Sequence, residues 1–122
     1  MPKTILVVDD ERGILDLVEA ILSRQGYRIL VADSGLKALE IYHGQHNGVD
    51  LLLTDIMMPG MSGLELGRSL KTLGPHVPIL YMTGGTLEGV NSRELDGRSE
   101  LVMKPFDPLL LINKVRSIFD AK

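Results

Sequence analysis

Four short apolar runs in this 122-residue chain each end in a side chain able to do chemistry. Thr4–Val8 leads into Asp9 and Asp10, Leu51–Thr54 into Asp55, Val77–Met82 into Thr83, and Leu101–Met103 into Lys104. Asp55 is the candidate reactive group, because an ionised Asp can accept a phosphoryl group as an aspartyl phosphate. The ordinary use of a loop Asp, capping the next helix, falls to Ser62 and Glu65 instead, which have capping-box spacing. Three carboxylates and one ammonium in one cleft leave an excess of negative charge, which raises carboxylate pKa values unless something relieves it. All-oxygen donors favour a hard divalent ion. Mg²⁺ suits such a site because it takes one or two carboxylates, keeps waters and leaves room for a phosphate oxygen, with Mn²⁺ as an alternative. Phosphoryl transfer asks a protein mainly for positioning and charge neutralisation. Lys104 would supply charge, Thr83 a hydroxyl, and the backbone N–H groups of Ile56 and Gly84 further donors.

These side chains converge only if the runs are neighbouring strands. Arg28–Ala32 adds a further strand, so five strand-like segments alternate with helical patterns. The first helix carries Ile14, Leu15, Val18, Ile21 and Leu22 at 3.6-residue spacing and stops at Gln25-Gly26. Ser34 caps a second, closed by Gly44, and Leu64, Leu66, Leu70 and Leu73 mark a third. Thr86–Ser99 is poor in large apolar residues and interrupted by Gly89 and Gly97, and predicts a short, mobile fourth helix. Asp107-Pro108 opens the last one, which carries Leu111, Ile112, Val115, Ile118 and Phe119. Strict alternation implies an α/β fold: a doubly wound, five-stranded parallel sheet of flavodoxin-like order 2-1-3-4-5 with five helices. In that order Lys104 starts two strand spacings, roughly 9–10 Å, from Asp55, and Thr83 starts one. A long side chain at the farther position and a short hydroxyl at the nearer one match those reaches.

Composition narrows the setting. A chain of 122 residues, 44% hydrophobic, forms one domain spanning 1–122 with a core of its own. The absence of Cys fits a reducing compartment. No apolar run approaches the roughly 20 residues of a membrane helix, and because Met1-Pro2-Lys3-Thr4 leads straight into a strand-like run, no signal peptide is expected. Membrane insertion is therefore not expected, and a cytoplasmic location is. A formal charge of −3 argues against direct nucleic-acid binding.

Val7-Val8-Asp9-Asp10-Glu11, Asp55 with Met58-Pro59-Gly60-Met61-Ser62-Gly63, Met82-Thr83-Gly84 and Lys104-Pro105-Phe106 together resemble the receiver domains of two-component response regulators. The wording of Leu51–Leu66 and Leu80–Gly84 is most similar to receivers of hybrid sensor histidine kinases. The resemblance covers essentially the whole chain. It implies phosphorylation of Asp55 from a phosphohistidine on a histidine kinase or histidine phosphotransfer protein. It also implies Mg²⁺ held by Asp10, Asp55 and the Met57 backbone carbonyl, with Asp9 acting largely through water. Lys104 would contact the phosphoryl group, and Lys104-Pro105 would be a cis peptide. Thr83 would be a switch residue. The family's partner in that switch is an aromatic ring, and here its position holds Leu101. Gly13, Ile14, Leu17, Pro105 and Phe106 would form the docking surface for the histidine-bearing partner, and a weak homodimer is left open. Met57 stands where many family members carry a polar residue that guides hydrolytic water, so a long-lived phosphoryl group is expected.

Blander readings cover the remaining features. His43 and His46 flank Gly44 and are solvated loop residues rather than a metal pair, as is His76. Met57, Met58 and Met61 fill irregular space around a loop. Leu17 lies off the apolar stripe of its helix, which ordinary partial exposure explains as well as docking does. The expected role is a phosphoacceptor signalling module that turns over no external substrate. An alternative is a haloacid-dehalogenase-like Mg²⁺-dependent phosphatase, but that chemistry needs an acid where Met57 stands and a nucleophile on the first strand. A flavodoxin-like FMN binder shares the sheet order, yet Asp9-Asp10-Glu11 would repel its phosphate.

Overall fold

The computed structural model describes residues 2–45, 48–84, 100–104 and 107–121. Five strands, β1 (Thr4–Val8), β2 (Arg28–Ala32), β3 (Leu51–Asp55), β4 (Ile79–Thr83) and β5 (Glu100–Met103), form one sheet in the order β2-β1-β3-β4-β5. Every neighbouring pair is parallel. Four helices lie among the described residues: α1 (Arg12–Ser23), α2 (Gly35–Gly44), α3 (Gly63–Leu73) and α4 (Pro108–Asp120). The helix expected over Thr86–Ser99 falls outside the described residues.

Strand alternation divides the core into two layers. Ile5, Val7, Leu51, Leu53, Leu80, Met82 and Val102 point to one face, where Leu15, Val18 and Leu22 of α1 and Leu111 and Val115 of α4 cover them. Leu6, Val8, Leu52 and Tyr81 point to the other, under Ala38 of α2 and Leu64, Leu66 and Leu70 of α3. β1, β3 and β4 are buried along their whole length. That explains why they are continuous aliphatic runs: a central parallel strand has no face turned to water.

The helix ends follow their local chemistry. Ser34 Oγ accepts the Lys37 N–H at the start of α2, and Asp107 accepts the Leu109 N–H at the start of α4. Ser62 and Glu65 complete a reciprocal capping box at α3. Gly26 takes a φ of +90° after α1, a conformation that suits Gly because it lacks Cβ.

Two expectations shift by a residue or two. Gly44 is the last residue of α2 rather than its stop, and Gln45 caps the end. The fourth strand begins at Ile79, because Pro78 has no N–H to pair and contributes only its carbonyl, which accepts from Leu52 N–H at 3.1 Å.

Candidate functional site

Strand register brings the polar residues to one edge. Asp55 pairs with Met82 and Val8 with Thr54, and three further hydrogen bonds extend the ladders past the strand ends. Asp9 N–H donates to the Ala32 carbonyl at 3.2 Å, Ile56 N–H to Met82 at 3.0 Å, and Lys104 N–H to Thr83 at 2.7 Å. Asp9, Asp55 and Lys104 lie two residues beyond Val7, Leu53 and Val102, which share one face of the sheet. Their side chains therefore emerge on that same face. All three meet there.

Lys104 Nζ lies 2.7 Å from Asp9 Oδ2 and 3.4 Å from Asp55 Oδ2. Asp9 is fully buried, and its second oxygen accepts the Glu11 N–H at 2.9 Å. Asp10 is exposed at the rim, and Asp9, Asp10 and Asp55 each offer a carboxylate oxygen within 4.8 Å of the others. This cluster suits a hard divalent cation: three anionic oxygen donors close enough to share one ion, facing a single ammonium.

Burial and charge act in opposite directions on the two central groups. Burial pushes the Asp55 carboxyl above its ordinary 3.8; the Lys104 ammonium pulls it down, and the Asp9 charge adds to the rise. Burial alone would pull Lys104 down. The hydrogen bond and charge of Asp9, with those of Asp55, outweigh that, and the ammonium is held above its ordinary 10.5. Lys104 is thus committed as a cation, while burial keeps the Asp55 carboxyl above its ordinary value in spite of the lysine beside it.

Thr83 is buried at the end of β4, one position past the partner of Asp55. The Lys104 stem passes Gly84 at 3.5–3.6 Å from where a Cβ would stand. Leu101 pairs with Tyr81 and packs against the α2/α3 layer. Of the expected docking residues, Gly13 is open, Ile14 packs partly into the α1/α4 core, and Leu17 is 46% exposed. Pro105 and Phe106, and with them the expected cis peptide, lie outside the described residues, as does His46.

One expected donor is corrected. The Ile56 N–H is spent on the Met82 carbonyl, so it cannot face a group bound at Asp55. The next amide does: Met57 N–H donates to the Asp55 carboxylate, while the Met57 side chain is 70% exposed. Two contacts went unread in the sequence. Thr54 Oγ1 donates to the Asp55 carbonyl at 3.0 Å, and a Cβ on Gly63 would stand 1.9 Å from that same oxygen. A hydroxyl inside an otherwise aliphatic run was the available signal for Thr54.

Comparison with known protein families matches residues 5–116 to the response regulator receiver domain. The chain belongs to that family. A receiver domain protein from Clostridium thermocellum superposes with a TM-score of 0.88 at 28% identity, covering 98% of this chain and 95% of that one. A CheY-like receiver domain protein from Methanospirillum hungatei JF-1 gives 0.88 at 32% identity, covering 99% and 96%. Among curated relatives, response regulator MprA of Mycobacterium sp. (strain KMS) is 34% identical over 119 residues, which is 97% of this chain and 51% of that protein. A transcriptional regulatory protein, YbdJ, of Bacillus subtilis (strain 168) is 30% identical over 116 residues, or 95% and 50%. This receiver domain therefore spans about half the length of the curated relatives it matches. None of its described helices is long and apolar enough to cross a membrane.

Proposed function

We propose that residues 1–122 form one receiver domain that accepts a phosphoryl group on Asp55 from a phosphohistidine, carried by a histidine kinase or a histidine phosphotransfer protein. The supporting observation is the placement of Lys104 Nζ 2.7 Å from Asp9 and 3.4 Å from Asp55, beside a rim carboxylate that lets three acidic oxygens share one cation.

In the transfer an Asp55 oxygen attacks phosphorus in line. The phosphorus–nitrogen bond to the histidine breaks, and the leaving imidazole keeps the electron pair. Asp10, Asp55 and the Met57 carbonyl would hold Mg²⁺. Asp9, whose oxygens already accept from Lys104 and Glu11, would act through water. The ion supplies charge neutralisation at the transferring oxygens. Lys104 and the backbone N–H groups of Met57 and Gly84 address the same oxygens, with Thr83 contributing its hydroxyl. Phosphorylation adds up to about two negative charges at this edge, and Thr83 is the switch residue that responds to it, with Leu101 standing where the family's aromatic partner would be.

The haloacid-dehalogenase-like alternative gains nothing from the site, since the acceptor stands on β3 and an exposed thioether occupies the required acid's position. No external substrate is turned over on this reading, and the domain works in the cytoplasm without contacting nucleic acid itself. Incubation with acetyl phosphate and Mg²⁺ tests it. The expected product carries one phosphoryl mass on Asp55 and is absent from Asp55→Asn. Steady multiple-turnover phosphate release, or no adduct in folded protein, would overturn the reading.

A further inference from the structure

The backbone carbonyl of Asp55 is held from two sides by residues outside the acidic cluster. On one side the Thr54 hydroxyl donates to it at 3.0 Å, fully buried. On the other, Gly63, the first residue of α3, comes so close that a Cβ would lie 1.9 Å from the carbonyl oxygen, 2.8 Å from its carbon and 3.0 Å from Ile56 Cα. All three are backbone atoms of Asp55 or of the residue after it, so none can swing aside as a side-chain tip would. The Gly63 N–H also donates to the Ile56 carbonyl at 2.9 Å, which closes the loop that begins with Met57, the donor to the Asp55 carboxylate.

We infer that Gly63 and Thr54 are positioning residues for phosphoryl acceptance: together they set the orientation of Asp55 by fixing its carbonyl, and Gly63 seats α3 directly on the acceptor. This rests on the proposed role of Asp55. The acceptor carboxylate is one side chain away from a carbonyl held by the Thr54 hydroxyl and crowded by Gly63. A shift of the peptide plane would rotate that carboxylate relative to Lys104 and the Met57 N–H at once. In-line displacement is sensitive to such errors, and a misplacement of about 1 Å can cost on the order of 100-fold in rate.

Four variants test it: Gly63→Ala, Gly63→Ser, Thr54→Val, which keeps the shape without the hydroxyl, and Thr54→Ser, which keeps the hydroxyl. Each is phosphorylated with acetyl phosphate at saturating Mg²⁺. The expected result is a maximal rate lowered about tenfold or more in both Gly63 variants and in Thr54→Val, with the half-saturating donor concentration unchanged and the rate recovered in Thr54→Ser. Cooperative thermal unfolding of each variant shows whether it is folded, and if the Gly63 variants are not, the Thr54 pair decides. Parent-like maximal rates in folded variants, or a Thr54→Ser no faster than Thr54→Val, overturn the inference. A parent that takes no phosphoryl group would instead remove the functional reading on which it stands.

Discussion

Lys104 Nζ sits 2.7 Å from Asp9 Oδ2, and Asp9 has no exposed surface. The pair joins residues 95 positions apart in sequence and from the two sides of Asp55. Removing the ammonium strands a buried carboxylate, which is costlier than never having buried the pair. Lys104→Met is expected to lose about 3 kcal/mol in urea unfolding, with part of the loss recovered by millimolar Mg²⁺. The fold holds the lysine pKa above 10.5. Its contribution is thus complete below that value and fades as pH climbs through the higher folded one. A Lys104→Met midpoint equal to the parent's would refute the structural role of the pair.

Met57 presents an exposed thioether beside the acceptor while its amide addresses the Asp55 carboxylate. A thioether neither orients nor deprotonates water well. Introducing a polar group by Met57→Asn or Met57→Glu is expected to shorten the phosphoryl lifetime about tenfold, within the usual range for a positioned acid–base group. The measurement is loss of phosphoprotein after donor removal, and a variant as slow as the parent counts against it.

The capping box of α3 separates stability from chemistry. Ser62→Ala removes the oxygen that accepts the Glu65 N–H and should cost about 1 kcal/mol. Glu65 is held below its ordinary 4.5 by the Ser62 backbone and side-chain hydrogen bonds. Its support is therefore present above that value and lost as pH falls through the lower folded one. The Ser62→Ala penalty should shrink below about pH 4. A penalty constant from pH 7 to pH 3 would show that the Ser62 hydroxyl does not help to keep Glu65 ionised.

Leu17 leaves the α1 stripe and is 46% exposed next to open Gly13. If this face receives the histidine-bearing partner, Leu17→Asp should keep acetyl phosphate labelling at the parent rate. Transfer from a phosphorylated partner should drop at least about tenfold, equivalent to 1.4 kcal/mol of binding. Equal transfer to both proteins would leave Leu17 an ordinary partly exposed leucine.

The sheet order and the meeting of Asp9, Asp55 and Lys104 were legible because charged residues terminate aliphatic runs, and a run buried on both faces is hard to mistake. Which amide faces the acceptor was not legible. Ile56 and Met57 differ in role only because the β3–β4 ladder continues one hydrogen bond beyond Asp55, and side-chain patterns do not encode where pairing ceases. The start of β4 was misplaced for a related reason: Val77 and Pro78 continue the apolar run, but Pro cannot donate to the ladder. Gly63 was visible as part of a turn motif. Its approach to the Asp55 carbonyl depends on how α3 settles on β3, a tertiary distance.

At the start of α2, a Cβ on Gly35 would overlap Met61, at 2.6 Å from its Sδ and 2.9 Å from its Cβ. The acceptor loop therefore leans on α2 through a thioether with three rotatable bonds pressed against a bare backbone. Such a joint is compliant. Met61 can roll over Gly35, so the acceptor loop and α2 need not shift together although both lie on the same face of the sheet.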